Sequence, residues 1–220
     1  MKRTTIVVIS LLIVLAACNC DKPTGNNDKP VPDEVENPLW PFYEGNWWLL
    51  DVWDNESGEN LEYFERYEVV SLFRYEDHRV AEVRLDMIYE DSVFASFTMW
   101  IGNTDTGLYL YAPYENDFEP FSSPKLLYKH PAEDGEIFES YALDETQENT
   151  DPMQYLGTGL WPVEVPAGIF VNCGIYYGCR PPADETYNYF IPDTGYVRME
   201  KYVASSLVKT RSLSEFHLSE

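Results

Sequence analysis

The chain has 220 residues with 38 acidic and 15 basic side chains, which gives a formal net charge of −23. A surface of that sign repels nucleic acid and anionic lipid headgroups, so it excludes nucleic acid as a partner, and it attracts basic peptides and proteins. The length and the 45% hydrophobic content suit one domain with a sizeable core.

Residues 1–17 have the organisation of a secretory signal peptide. Lys2 and Arg3 precede an apolar run from Ile6 to Val14, which is too short to span a bilayer as a helix. The end of this signal, Leu15-Ala16-Ala17-Cys18, resembles the lipobox of bacterial lipoproteins. The resemblance implies that residues 1–17 are removed, that Cys18 is acylated, and that the lipid holds the mature protein on a membrane of the bacterial cell envelope.

Residues 18–37 are predicted to form a flexible tether behind the lipidated cysteine. The segment is rich in Asn, Asp and Pro and has almost no side chains to bury. Asn19 rather than Asp follows the anchor. In Gram-negative hosts that sort by the enterobacterial pattern, the lipoprotein resemblance therefore implies the outer membrane.

Residues 38–220 are predicted to form an all-β domain. Apolar and polar residues alternate from residue 79 to 112, with turns at Glu90-Asp91 and at residues 103–107. This period of two predicts a three-stranded antiparallel meander with one buried face. The side chains expected to share its core are Val83, Leu85, Val93, Phe97, Leu108 and Leu110.

The flanking segments extend the same pattern. A cluster of Trp47, Trp48 and Trp53 marks a first strand, and residues 61–75 favour a strand over a helix because they are rich in aromatic and β-branched residues. Further strands are predicted over residues 125–128, 137–141, 185–190, 196–203 and 206–216. The fold expected from these elements is a single curved antiparallel sheet or a partial barrel.

Two cysteines, Cys173 and Cys179, lie near each other in the last third of the chain. An oxidising compartment permits a disulfide bond between them, but only if residues 174–178 turn back as a hairpin loop. The alternative is that both are small buried apolar residues. Ile169, Val171, Cys173 and Ile175 are expected to share one strand face. With so few cysteines and no nearby histidine, no metal site is predicted.

The C-terminal third contains the motifs Val165-Pro166-Ala167-Gly168-Ile169-Phe170-Val171-Asn172-Cys173 and Pro192-Asp193-Thr194-Gly195-Tyr196-Val197-Arg198-Met199-Glu200. Together they resemble a signature of uncharacterised bacterial envelope lipoproteins, V-P-A-G-x-F-x-x-C followed by P-x-x-G-x-V-x-x-E. The resemblance implies a half-barrel similar in kind to the periplasmic lipoprotein carriers, and it supplies no catalytic residue. Physically, both motifs are predicted to be structural corners, with Gly168 and Gly195 at turns.

The sequence shows no catalytic motif and no cofactor motif, so no catalytic residue and no cofactor is predicted. Its most unusual feature is its content of aromatic residues, which comprises 17 Tyr, 11 Phe and 6 Trp. Trp100, Tyr109 and Tyr111 fall on the outward register of neighbouring strands, where they could form an exposed aromatic row for an apolar or glycan ligand. The alternative is cross-strand pairing that stabilises the sheet.

These patterns favour a non-enzymatic binding or structural lipoprotein with an aromatic-rich concave face, which holds an apolar ligand, a glycan or a partner protein. Two alternatives stay open. One is a carbohydrate-active hydrolase that uses paired carboxylates. The other is an acidic protein that captures basic partners, whose binding would weaken with salt.

Overall fold

The computed structural model describes residues 30–112, 120–141, 150–180 and 184–219, so the predicted signal peptide, Cys18 and the tether up to residue 29 lie outside the described residues. The described residues form fourteen strands and no helix. The strands are β1 Trp47–Asp54, β2 Leu61–Tyr75, β3 His78–Tyr89, β4 Ser92–Thr104, β5 Gly107–Ala112, β6 Lys125–Lys129, β7 Ile137–Tyr141, β8 Thr150–Thr158, β9 Val163–Val165, β10 Gly168–Phe170, β11 Gly174–Arg180, β12 Asp184–Ile191, β13 Gly195–Val203 and β14 Ser206–His217.

Twelve strands form one antiparallel sheet in the order β6-β5-β4-β3-β2-β1-β14-β13-β12-β11-β8-β7, and β9 and β10 form a separate hairpin. The sheet curls until its edge strands β6 and β7 contact each other, so it is nearly closed into a barrel. Side chains bridge this seam: the Ser140 hydroxyl donates to Leu127 O at 2.6 Å, and the Tyr176 hydroxyl donates to Lys129 O at 2.9 Å. The prediction of an all-β, curved antiparallel sheet or partial barrel is confirmed.

The predicted meander is present as β3, β4 and β5, and β2 is a strand along its whole length, so the helix alternative for residues 61–75 is wrong. Glu90 and Asp91, between β3 and β4, both have positive φ angles, of 48° and 61°. That is the backbone of a two-residue hairpin turn whose twist matches the flanking strands.

Because neighbouring strands are antiparallel, alternate turns lie at the same end of the barrel. We call one end, with the turns at residues 43–46, 76–77, 105–106 and 192–194, the closed end, because Leu39, Trp40 and Phe42 enter the core there and are buried. The Trp40 ring lies 5.3 Å from that of Trp48 and 6.0 Å from that of Tyr196. The other end, with the turns at 55–60, 90–91 and 204–205, is the open end.

The predicted meander core is right for four residues and wrong for two. Val83, Leu85, Leu108 and Leu110 are buried, whereas Val93 and Phe97 are exposed. A β-bulge at Phe94 shifts the register so that Val93 pairs with Ile88, which puts Val93 on the outer face. Phe97 pairs with Leu85 on the inner face, but it lies where the hairpin extends beyond the packed core toward the open end.

The β9–β10 hairpin fills a gap at the closed end. β13 and β14 stop pairing beyond Arg198 and Ser212, and the Ala167 N–H donates instead to Leu213 O at 3.0 Å. Gly168 and Gly195 have φ angles of 140° and 99°, so the prediction that both glycines form turns is confirmed. The prediction that Ile169, Val171, Cys173 and Ile175 share one strand is wrong, because the chain leaves β10 before Val171 and begins β11 at Gly174.

The described part of the predicted tether, residues 30–37, is held against the closed end. The Glu34 carboxylate accepts hydrogen bonds from Phe42 N and Asn103 Nδ2, each at 3.3 Å, and lies 3.5 Å from Arg79 Nε. Burial raises the pKa of Glu34, and the Arg79 charge and these hydrogen bonds oppose that rise. The attached segment therefore begins before Leu39, which the alternation pattern could not indicate.

Candidate functional site

The barrel interior changes from apolar to charged toward the open end. On β14 the inward register runs from the buried Leu213 to Arg211 and Lys209, and on β13 it runs from the buried Met199 to Lys201. Since strand residues two apart point to the same face, these basic side chains enter the barrel directly beyond its hydrophobic core. The change of polarity thus follows from the order of residues along each strand.

A cavity of about 590 Å³ occupies this charged half and opens at the open end. Four basic side chains line it: Arg180, Lys201, Lys209 and Arg211. The same cavity is lined by the carboxylates of Glu56, Asp151 and Asp184 and by the polar side chains of Ser140, Thr186 and Asn188. It therefore presents hydrogen-bond donors and acceptors to anything that enters.

Each of the four basic groups is paired with an acid. Arg180 Nη2 lies 2.6 Å from Asp151 Oδ2, and Lys209 Nζ lies 2.5 Å from Asp54 Oδ2. Lys201 forms an ion pair with Glu56. These pairs fix the charged groups in place, so their geometry is largely set before a ligand arrives.

The deepest pair joins Arg211 to Glu65, whose carboxylate is buried. Arg211 donates from Nε and Nη2 to the two Glu65 oxygens at 2.8 and 3.0 Å, and the Tyr67 hydroxyl donates to Glu65 Oε2 at 3.0 Å. Burial acts to lower the pKa of Arg211, but the Glu65 charge, its hydrogen bonds with Arg211 and the neighbouring Tyr67 and Tyr196 together outweigh burial, so the pKa lies well above its usual value. The guanidinium therefore keeps its charge at the floor of the cavity.

The Asp54 carboxylate at the rim is held in its ionised form. Burial works to raise its pKa, but the hydrogen bonds from Lys209 and from the Glu56 N–H, with the charges of Lys209 and Arg211, lower the pKa below its usual range. A general acid needs the opposite shift. Asp54 is therefore suited to positioning charge and accepting hydrogen bonds.

The prediction that Trp100, Tyr109 and Tyr111 form an exposed aromatic row is wrong, because these rings are covered. Trp100 and Tyr111 lie on the outward register as predicted, but they are only 5% and 1% exposed, and Tyr109 is half-buried. They pack with Phe73 and Tyr75 in a second, smaller cluster on the outer face, where the Phe73 and Trp100 rings are 4.7 Å apart. Cross-strand packing thus uses the rings that were predicted to bind a ligand.

The inner, concave face is aromatic, as predicted, but at the closed end it is filled. Trp48, Tyr176 and Phe190 are fully buried there, and Tyr128 packs against Phe190 with ring centroids 4.7 Å apart. The open volume lies beside the charged side chains, and it is also lined by the rings of Tyr128 and Tyr141 and by the side chains of Leu127, Met153 and Met199. The sequence signal that marks it is a run of charged residues in phase with the buried register, as in Lys209, Arg211 and Leu213.

Cys173 and Cys179 are both free, so the possible disulfide bond between them is not formed. Residues 174–178 belong to the extended strand β11 and do not make the hairpin loop that the bond requires. Cys173 is buried, and this burial raises the pKa of its thiol to about 11. Cys173 therefore fits the alternative, a small buried apolar residue, while Cys179 is half-buried.

Among the residues that the structure describes, no group of three or more His, Cys, Asp or Glu side chains is placed to hold a metal ion. In the same ranges, no helix is long and apolar enough to cross a membrane.

No protein-family model matches the chain, and no curated protein matches it. A solved structure from Bacteroides fragilis NCTC 9343, provisionally described as an exported protein with a YmcC-like fold, is similar with a TM-score of 0.53 and 14% identity, over 83% of this chain and 100% of that one. One from Parabacteroides distasonis ATCC 8503, provisionally described as a lipoprotein, has a TM-score of 0.47 and 17% identity, over 84% and 100%. The first likeness shows that the two chains share a fold.

Proposed function

We propose that the protein is a lipid-anchored protein of the bacterial cell envelope that binds a polar ligand, of the glycan class, in the open-end cavity and performs no chemistry on it. The N-terminal signal and Cys18 support the location, and Asn19 after the anchor supports the outer membrane. The Bacteroides protein of the same fold is itself provisionally described as exported.

The observation that carries the proposal is the division of the barrel interior. The closed end of the interior is filled by the protein's own rings, whereas the open end holds a cavity lined by charged and polar groups together with the rings of Tyr128 and Tyr141. A glycan suits such a lining because each hydroxyl both donates and accepts, and both donors and acceptors line this cavity. These groups favour a glycan over an apolar ligand.

Two observations favour binding over hydrolysis. Glycoside hydrolysis needs one carboxylic acid that keeps its proton at neutral pH. At this rim the pKa of Asp54 is lowered, and Glu56 and Asp151 are each paired with a basic side chain. Carboxylates held in this way serve better as fixed hydrogen-bond acceptors.

Calorimetric titration with maltotriose, N,N′,N″-triacetylchitotriose and a sialylated trisaccharide tests this proposal. Asp184 and Glu185 are neighbours on β12 that face into and out of the cavity, so Asp184→Asn and Glu185→Gln make a matched pair. We expect at least one glycan to bind, and Asp184→Asn to weaken it about tenfold, the value of one hydrogen bond to a charged group. Glu185→Gln should leave the affinity unchanged.

Three results would contradict the proposal: no binding to any of the three glycans, equal losses from both variants, or release of reducing sugar. The last would identify a hydrolase. Capture of a basic protein such as lysozyme at low salt, lost at high salt, in place of glycan binding would identify the acidic-capture alternative.

A further inference from the structure

The two most exposed apolar side chains of the described residues, Leu160 and Trp161, lie at the closed end, outside the cavity, where they are 93% and 83% exposed. They lie between β8 and β9, and Ile169 and Val171, in and after β10, are also exposed. The other five tryptophans are buried or half-buried. We call these four residues the apolar tip.

The apolar tip is carried by an ordered part of the fold. The Gly159 N–H donates to Cys173 O at 2.7 Å, and this hydrogen bond joins the two ends of the segment 159–173 that carries the apolar tip. The Ala167 N–H donates to Leu213 O, and Val165 is buried in the main core. Keeping Leu160 and Trp161 side by side in water costs free energy, because together they form a larger exposed apolar patch than a single residue does.

The N-terminal chain reaches the barrel at the same end. Arg74 Nη1, at the end of β2, donates to Pro30 O at 3.4 Å, and the Asp193 N–H donates to Pro38 O at 3.0 Å. Only eleven residues separate Pro30 from Cys18, and a fully extended segment between the two spans at most about 40 Å. A lipid on Cys18 would therefore keep the closed end, and with it the apolar tip, close to the membrane.

We propose that Leu160, Trp161, Ile169 and Val171 insert into the surface of the bilayer that holds the Cys18 lipid, so that the closed end docks on the membrane and the open-end cavity points away from it. The inference rests on the lipid anchoring in the proposed function. Tryptophan suits this position because its ring is apolar and its N–H remains hydrogen-bonded at the interface. The strongly negative net charge of the chain favours a zwitterionic over an anionic surface.

The test uses the full-length lipidated protein in vesicles of phosphatidylcholine and phosphatidylethanolamine that contain a lipid brominated on its acyl chain. Because Trp161 is the one strongly exposed tryptophan, its contribution is the difference between wild type and Trp161→Phe. We expect bromolipid quenching in wild type, most of which is lost in Trp161→Phe. Adding phosphatidylglycerol at low salt should reduce the quenching through charge repulsion.

Phe94→Ala is the matched control, because Phe94 is an exposed apolar residue at the open end. It should leave the quenching unchanged. Vesicle-bound protein whose Trp161 is not quenched, or a loss caused by Phe94→Ala, would overturn the docking proposal while leaving the anchor intact. If the Cys18→Ala variant floats with the vesicles as well as the wild-type protein does, that result would instead contradict lipid anchoring.

Discussion

Gly195 shows how one residue fixes the closed end. Its φ angle is 99°, and a Cβ built on it would lie 2.4 Å from Cδ1 of Trp40. The position therefore excludes a side chain twice, by backbone conformation and by contact with the N-terminal segment. The P-x-x-G part of the C-terminal motif is explained by this corner.

Gly195→Ala should destabilise the protein by about 3 kcal/mol, because the left-handed backbone and the overpacking against Trp40 both cost free energy. Gly58→Ala is the control: its φ is 82°, but a Cβ there meets nothing within 4 Å, so only the backbone cost of about 1 kcal/mol remains. Urea unfolding of the two variants measures the difference. Equal losses would show that Trp40 does not pack on this turn.

Leu85 and Phe97 face each other across β3 and β4 but differ in burial. Leu85→Ala should cost about 2–5 kcal/mol through the cavity left in the core. Phe97→Ala should cost clearly less, because its ring is partly in solvent before the change. Unfolding midpoints of both variants check this order, and the reverse order would mean that the hairpin packs more tightly at the open end than described.

The Asp54–Lys209 ion pair joins strands β1 and β14 at the open end. The pKa of Asp54 in the folded protein lies below its unfolded value of about 3.9. The pair's contribution to stability is therefore complete above about pH 4 and is lost as the pH falls through the folded pKa.

Asp54→Asn should accordingly be less stable than wild type at pH 7, by about 1 kcal/mol, and the difference should shrink as the pH falls through the lowered folded pKa and the wild-type carboxyl gains its proton. Urea unfolding from pH 7 down into the acid range measures it. Glu59→Gln, in the adjacent exposed turn, is the control and should follow the wild-type curve. A difference that stays constant with pH would contradict the ionic role of Asp54.

The elements that sequence predicts well are those governed by local pattern. Alternation fixes β3 and β4, and Glu90-Asp91 fixes their turn, because both effects act within a few residues. Local pattern fails at the β-bulge, because the extra residue Phe94 moves Val93 to the outer face of the sheet, and the prediction that Val93 faces the core is therefore wrong. It fails again for Leu39 to Phe42, since nothing near them in sequence indicates that they enter a barrel end.

At the scale of the whole molecule, the two ends of the barrel differ in chemistry. The period of two predicts which residues face inward, and it places Arg211 and Lys209 inside the barrel beyond Leu213. It does not predict that the aromatic face is filled or that Trp100 and Tyr111 are covered by Phe73 and Tyr75, because both depend on contacts between distant strands. The candidate site therefore lies at the charged open end and does not include Trp100, Tyr109 or Tyr111.

We propose that the open-end cavity of the barrel receives a polar ligand. A backbone amide chemical-shift titration of residues 30–220 with the best-binding glycan from the calorimetric set tests this directly. We expect the largest shifts at Thr186, Lys201 and Lys209, with none at Gly159 or Trp161. Shifts centred on the closed end, or no shifts at saturating glycan, would contradict it.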